Sequence, residues 1–248
     1  MNANAGACDG PAATTRSLPT VRSLIDTVRR LGVSDALLWF VARAAQLTSG
    51  GRLRIYRYYF VAQPVPAEDL SPGGRSSAIA LRIVDATDAL VAQFPRPSEV
   101  IAARYQMGAH CFAAEQHGRF VGFIWIKERQ YPEDEVRCLY VLEPAGVAVW
   151  DFDVYIDPAF RHDRNFARLW DSANRWLREH GYRWTLSRIS AFNPDSLAAH
   201  RRLGTRRVGS ATFVRLGRVQ IALLARAPFV HVGWHDAKAP SLRLQSPE

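Results

Sequence analysis

Between Ala148 and Gly204 the apolar positions change their spacing three times. Val149, Trp150, Phe152, Val154, Tyr155 and Ile156 crowd into a β-branched and aromatic run, which predicts a strand stopped by Pro158. A polar loop of Arg161, His162, Asp163 and Arg164 follows. Phe166, Leu169, Trp170, Ala173, Trp176 and Leu177 then recur at helical spacing, predicting a helix from about Asn165 to His180 with Gly181 just past its end. Trp184 to Ile189 reads as a second strand. Asn193-Pro194-Asp195-Ser196 reads as a turn and helix start, and the short helix closes at Leu203-Gly204. The unit is strand, loop, helix, strand, helix. Its first loop meets a helix N-terminus, where free N–H groups and the positive dipole end favour anions.

Upstream, Val21, Leu24, Ile25, Val28 and Leu31 predict a helix ended by Gly32. Ser34 is the expected N-cap of a second helix, Asp35 to about Leu47. This amphipathic pair, with Arg22, Arg29, Arg30 and Arg43, suits either a membrane surface or a hairpin packed on the domain or on a second copy. Core-facing packing is the commoner fate of such helices and is the reading preferred here. Leu53 to Val65 predicts a strand ended by Pro64 and Pro66, and Ala67 to Ser76 a linker. A strand from Ala78 to Val84, helices at Ala86–Gln93 and Ser98–Gln106, and strands at Cys111–Gln116 and Phe120–Lys127 come next; His117-Gly118 marks the hairpin between those last two. A strand from Val136 to Leu142 and a final hairpin turning at Gly217 complete the elements. The expected division is a disordered tail (1–18), an N-terminal helical and strand extension with its linker (19–76), a main domain (77–227) and a C-terminal tail (228–248). The fold class is α+β: a mixed, mostly antiparallel central sheet flanked by helices, with an N-terminal helical extension.

Composition narrows the partners. The formal charge is +9, yet 30 of the 32 basic residues are Arg, because only Lys127 and Lys238 are lysines, and the arginines are spread along the whole chain with no Lys run. That pattern argues against a dedicated nucleic-acid surface and leaves attraction to a phosphate-bearing or acidic partner. Cys8, Cys111 and Cys138 have neither paired nor metal-ligand spacing, and His231 and His235 sit among residues unsuited to a metal-binding helix, so no metal is expected. The longest apolar run, Ala36 to Leu47, is too short to span a bilayer and contains Arg43, and no leader pattern opens the chain; the cytoplasm is the expected compartment.

The order strand, x-Pro, Arg-x-x-x-x-x-Ala, helix, strand, Asn-x-x-Ser, helix, Leu-Gly resembles the core of the GNAT superfamily of N-acetyltransferases, over Ile79 to about Ala225. In that family a Gln/Arg-x-x-Gly-x-Gly/Ala loop holds the pyrophosphate of acetyl-CoA on backbone amides. Here Arg161, Arg164 and Phe166 stand at those positions, so the Arg is present and both glycines are replaced. The later motif appears as Asn193, Ser196, His200, Leu203 and Gly204, with His200 where the family has a Tyr. The resemblance implies an acyltransferase with no permanently bound cofactor and acyl-CoA as co-substrate. Tyr155, Ile156, Arg161, Arg164, Asn165, Phe166, Ala167 and Asn193 would lie along the donor. An acyl carrier protein as donor, as in the N-acyl synthases of the same fold, and a non-catalytic binding module stand as alternatives. The acceptor would be a small molecule or another amine, and a homodimer is compatible with the pattern.

Acyl transfer to an amine needs a base, donors for the oxyanion and an acid for the thiolate. Alternation predicts Asp151 and Asp153 on one strand face, ~7 Å apart, where mutual repulsion lifts one pKa. They are the candidate bases, and His200 is the candidate acid. Glu133, Asp134 and Glu135 read as a solvated turn, with Glu135 able to face the cleft.

Overall fold

The computed structural model describes residues 21–69, 79–161, 165–235 and 238–248. The tail expected over 1–18, most of the linker, and His162, Asp163 and Arg164 lie outside the described residues.

Two helices come first, α1 (Val21–Leu31) and α2 (Val33–Thr48). Gly32, at φ 81°, makes the reversal between them, a conformation that a Cβ would strain. The helix therefore starts ahead of Ser34, with Gly32 in the cap position and no side-chain cap. The pair packs on the domain: Asp35 accepts the Tyr59 hydroxyl, and Arg30 forks onto Asp195 at 2.7 Å. That second pair is largely exposed and adds little stability.

The next strand departs most from the sequence reading. β1 (Leu53–Pro64) was expected in an extension outside the main domain, but it is central to the sheet. It pairs antiparallel with β8 (Trp184–Ser190) on one side and with β9 (Arg206–Leu216) on the other, so Tyr58 faces both Ser190 and Ala211. Its apolar stretch Phe60–Ala62, without polar alternation, is what a strand covered on both faces requires.

The main sheet is completed by β2 (Ile79–Val84), β3 (His110–Gln116), β4 (Arg119–Glu128), β7 (Ala148–Ile156), β10 (Val219–Leu224) and β11 (Val230–Gly233). Its order is β11-β10-β9-β1-β8-β7-β4-β3-β2. Every pairing is antiparallel except β7 with β8. The β3–β4 turn has positive φ at both His117 (51°) and Gly118 (75°), matching the twist of an antiparallel hairpin. β5 (Gln130–Pro132), β6 (Leu139–Glu143) and β12 (Ser241–Gln245) form a second sheet in the order β12-β6-β5. The segment read as a C-terminal tail thus supplies two strands. In β12 the alternation of Leu242 and Leu244, both buried, with exposed Ser241, Arg243 and Gln245 is the signal for it.

The helices α3 (Ser98–Gln106), α4 (Asn165–Glu179) and α5 (Pro194–Arg202) complete the elements. The helix expected over Ala86–Gln93 is a single 3₁₀ turn, Ala89–Gln93, capped by Asp88 accepting from the Leu90 N–H. Three clusters of buried side chains hold the layers together. One lies between the two sheets around Phe60, Tyr140 and Trp150. A second lies under α4 around Ile124, Val154 and Trp170, and a third under α3 around Phe94, Phe123 and Trp125.

Gly122, opposite Ile156 in the β4–β7 ladder, is needed for that ladder to close. A Cβ there would stand 2.5 Å from the Tyr155 carbonyl oxygen and 2.6 Å from Ile156 Cδ1. Gly122→Ala is expected to lower unfolding free energy by roughly 1–3 kcal/mol, read from the urea midpoint at unchanged slope. A midpoint equal to wild type would show that the strands part without strain.

Candidate active site

β7 and β8 are hydrogen-bonded only at their start, with Ala148, Val149 and Trp150 against Trp184, Thr185 and Leu186. Beyond that point β7 stays paired to β4 as far as Ile156, and β8 stays paired to β1 as far as Ser190. Each strand is held by its outer neighbour, so the sheet opens between them. Beyond Trp150 the β8-facing edge of β7 has no strand partner, an edge of the kind to which an extended amide-bearing chain adds.

A β-bulge sits at the mouth of this seam. Trp125 pairs with Asp153 and Ile126 with Asp151, which leaves Phe152 as the extra residue. The bulge reverses the alternation that put the two aspartates on one face. Val149, Val154 and Ile156 belong to the core under α4, whereas Phe152 and Tyr155 belong to the core under α3. Asp151 lies beside the Thr185 and Ser187 hydroxyls of β8. Asp153 lies on the α3 side, 1% exposed, with both oxygens taken: Arg96 donates Nε and Nη2 at 2.9 and 2.8 Å, and Arg104 donates at 2.7 Å. The same-face expectation is therefore corrected, and the two carboxylates have different chemistry. Burial pushes Asp151 up to about 7, with the Thr185 and Ser187 hydroxyls pulling it back down. Asp153 is a neutralised anchor, with Arg96 and Arg104 lying over the Tyr155, Phe123, Trp125 and Phe152 rings at 5.3–5.6 Å.

The donor-side positions cluster at the far end of β7. Arg161 turns back to donate Nε to the Ile156 carbonyl at 3.1 Å. Asn165 opens α4 and is 1% exposed; its Nδ2 donates to the Phe160 carbonyl at 3.0 Å, and its Oδ1 is buried without a partner among the described residues. An unpaired acceptor suits an N–H or O–H donor rather than a phosphate oxygen. Phe166 packs toward the core under α4, 6.5 Å from Trp170, and the adjacent Ala167 is half-buried. Tyr155 stacks on Phe120 at 6.0 Å. Arg164 lies outside the described residues.

His200 and Asn193 sit on and before α5. Asn193 caps the helix, its Oδ1 accepting from the Ser196 N–H at 3.0 Å. His200 is buried, and its Nδ1 is 2.9 Å from the Ser196 carbonyl, which needs a donor and so fixes the N–H on that nitrogen. Burial lowers its pKa, against the pull of that hydrogen bond. A neutral ring in this tautomer presents Nε2 as an acceptor, which does not suit the role of proton donor.

Sequence reasoning missed Arg96 and Arg104, and it read the Glu133–Glu135 turn as solvated. That turn is not solvated throughout. The Glu133 side chain is fully buried and takes Arg188 Nε and Nη2 at 2.7 and 2.8 Å. Arg188 also reaches Glu135 at 2.9 Å and lies 4.4 Å from the Tyr58 ring centre. Arg188 stands two residues beyond Leu186, where β8 leaves β7, so this cluster borders the seam. No signal in the sequence pairs residues 55 positions apart. An open hollow of about 470 Å³, lined by Gly108, His110, Lys127, Glu128, Arg129 and Gln130, lies at the other end of β4 from the seam. Among the described residues there is no group of three or more metal-ligating side chains, and no helix is long and apolar enough to cross a membrane.

Residues 85–205 match the family model described as Acetyltransferase (GNAT) family. Among solved structures the chain is similar to a putative GNAT-family acetyltransferase from Novosphingobium aromaticivorans, at 16% identity and TM-score 0.42, covering 64% of this chain and 63% of that one. It is similar to a functionally unknown conserved protein from Staphylococcus epidermidis, at 9% identity and TM-score 0.46, covering 81% and 82%. It is also similar to a GCN5-related N-acetyltransferase from Kribbella flavida, at 14% identity and TM-score 0.39, covering 74% and 63%. The match to the Novosphingobium protein spans less than two thirds of that protein's length. No curated protein matches this chain.

Proposed function

We propose that residues 85–205, which match the GNAT family model, form a divergent domain of that kind, and that the chain transfers an acyl group from a pantetheine thioester, acyl-CoA in the first instance, to an amine. The observation that carries this reading is the parting of β7 from β8 after Trp150 and Leu186. A sheet that served only as a scaffold gains from pairing those strands to their ends, because each unpaired buried amide costs free energy. The β7 edge and the Asn165 Oδ1 suit the amides of a pantetheine arm. Arg161, and Arg164 as a further proposal, would meet the phosphates where the family's glycines are replaced, since guanidinium matches phosphate geometry.

In this reading the lone pair of the neutral amine attacks the thioester carbonyl carbon while Asp151, directly or through water, takes the proton that the nitrogen loses in becoming an amide. The carbon–sulfur bond then breaks and the thiolate leaves. Asp153, bound by Arg96 and Arg104, holds the bulge and the α3 side in place. His200 keeps the α5 end ordered, and water protonates the thiolate. Because burial holds Asp151 at about 7, kcat/KM is expected to rise with pH through about 7 and level off above it. A profile flat from pH 5.5 to 8 would remove Asp151 from the role.

The test of the function is thermal stability with acetyl-CoA, long-chain acyl-CoA and an acylated carrier protein, alongside release of free thiol in the presence of amines. A donor at 100 times its dissociation constant adds about 2.7 kcal/mol. Stabilisation by the CoA species, reduced in Arg161→Ala and Arg164→Ala, is the expected result. Response to the carrier protein alone would replace CoA as the donor. Stabilisation by none of the three would sink the acyl-transfer reading in favour of a binding module.

A further inference from the structure

The two faces of the main sheet are treated differently at its β11 end. On one face Phe213, Ala222 and Leu224 are buried in the core between the two sheets. On the other face α2 reaches β1, where Asp35 accepts the Tyr59 hydroxyl. Alternation puts Ile55 on the same face as Tyr59, and the ladder carries that face outward in one row. Ile55 lies opposite Val214, Val214 opposite Ile221, and Ile221 opposite Val232. Beyond β1 the row stands increasingly open.

All five outward positions of β10 and β11 are aliphatic: Val219, Ile221, Leu223, Val230 and Val232, each 36–61% exposed. Leu216 on β9 lies opposite Val219 and extends the patch, and Phe229 and Trp234 flank β11; all three are more than half exposed. A solvated face of an antiparallel sheet carries polar residues at such positions. An edge strand left in water is guarded by Lys, Pro or an inward charge, and β11, Val-His-Val-Gly, has none of these. Together the eight side chains expose on the order of 700 Å² of apolar surface. That exceeds the ~300–600 Å² of the largest patch on a typical monomer and approaches the ~800 Å² that each partner gives to a standard interface.

We infer that this face of β9, β10 and β11 packs against the same face of a second copy, sheet on sheet, in a two-fold dimer. A row of branched aliphatic side chains with no charge among its outward positions on β10 and β11 is complementary to itself, and a two-fold axis through the patch covers both copies with one set of residues. Stacked sheets interdigitate at about 10 Å, so the partner's strands extend the layer that α2 begins over β1. Residues 1–20 contain only Met1 and Leu18 as large apolar residues, too few to cover the patch from within the chain. The inference is independent of the acyl-transfer reading, because β9, β1 and β8 separate β10 from the seam.

Sedimentation equilibrium of the full chain is expected to give twice the chain mass of 27.8 kDa. Because each copy carries a formal charge of +9, the dimer should hold or tighten as salt is raised. Ile221→Lys and Val232→Lys, both at exposed positions, should each raise the dimer dissociation constant at least tenfold with an unchanged circular dichroism spectrum. An equimolar mixture of Ile221→Lys and Ile221→Glu should associate more tightly than either variant alone, since the two-fold brings the patch to itself. A wild-type chain that stays monomeric up to about 100 μM overturns the inference, and so does a dimer that neither lysine variant weakens. A monomer that binds phosphatidylglycerol vesicles, and loses them in the same variants, would give the face to lipid and overturn it equally.

Discussion

Replacing Asp153 by alanine is expected to lower unfolding free energy by about 3–5 kcal/mol, the largest stability change of any single substitution at the seam. The carboxylate is 1% exposed and receives three hydrogen bonds from two guanidiniums at 2.7–2.9 Å. Its removal leaves Arg104 and Arg96, with side chains only 11% and 21% exposed, as unpaired cations among aromatic rings. The cost lies in the stranded charges more than in the lost pair, so the comparison that isolates it is Asp153→Leu combined with Arg96→Met and Arg104→Met. That variant should recover most of the stability, because exchanging a whole buried ionic group for apolar side chains is often neutral. Urea denaturation of both variants checks this. A loss below about 1 kcal/mol in Asp153→Ala would mean that water reaches the arginines and that the network is not an anchor.

Asp151→Asn should cut kcat/KM by about 10²–10⁴, the range supplied by a positioned base, and should make the protein more stable above pH 7. The second effect follows from the sign of the shift. In the folded chain burial holds Asp151 at about 7, while an unfolded chain ionises it near ~3.9. Between those values the folded state binds the extra proton, so stability falls as pH rises across the window and is level above it. The shift of about three units corresponds to a burden on the order of 4 kcal/mol at pH 8, which a neutral amide of the same shape does not carry. Burial raises Glu133 as well, and it titrates in the same direction. The difference between wild type and Asp151→Asn as a function of pH isolates Asp151. A residue that loses activity and gains alkaline stability on one substitution has been kept for chemistry. Retained activity with either stability outcome would return Asp151 to the core.

The elements that repeat a local pattern were legible without coordinates. The helix over Asn165–Glu179, the strands on either side of it, the Asn193 cap and the His117-Gly118 turn each follow from spacing within a few residues. The failures have a common cause. β1 was placed outside the main domain because nothing in Leu53–Pro64 names β8 and β9 as its partners, which lie more than 100 residues away. The shared face of Asp151 and Asp153 was derived from perfect alternation, and one extra residue against β4 cancelled it. The acidic turn looked solvated because charge is read as exposure unless a buried counter-ion is known.

By itself the sequence determined the periodic elements, the α+β class, the likeness that points to acyl transfer and the absence of both glycines from the donor loop. Those are properties of neighbouring residues, where steric and hydrophobic preferences act within one or two turns. Tertiary structure alone decided where β7 and β8 part, which aspartate is free, and which arginine faces which carboxylate. Those depend on burial and on contacts between residues far apart in the chain, and a carboxylate's chemistry is set by the dielectric and the charges that folding brings around it.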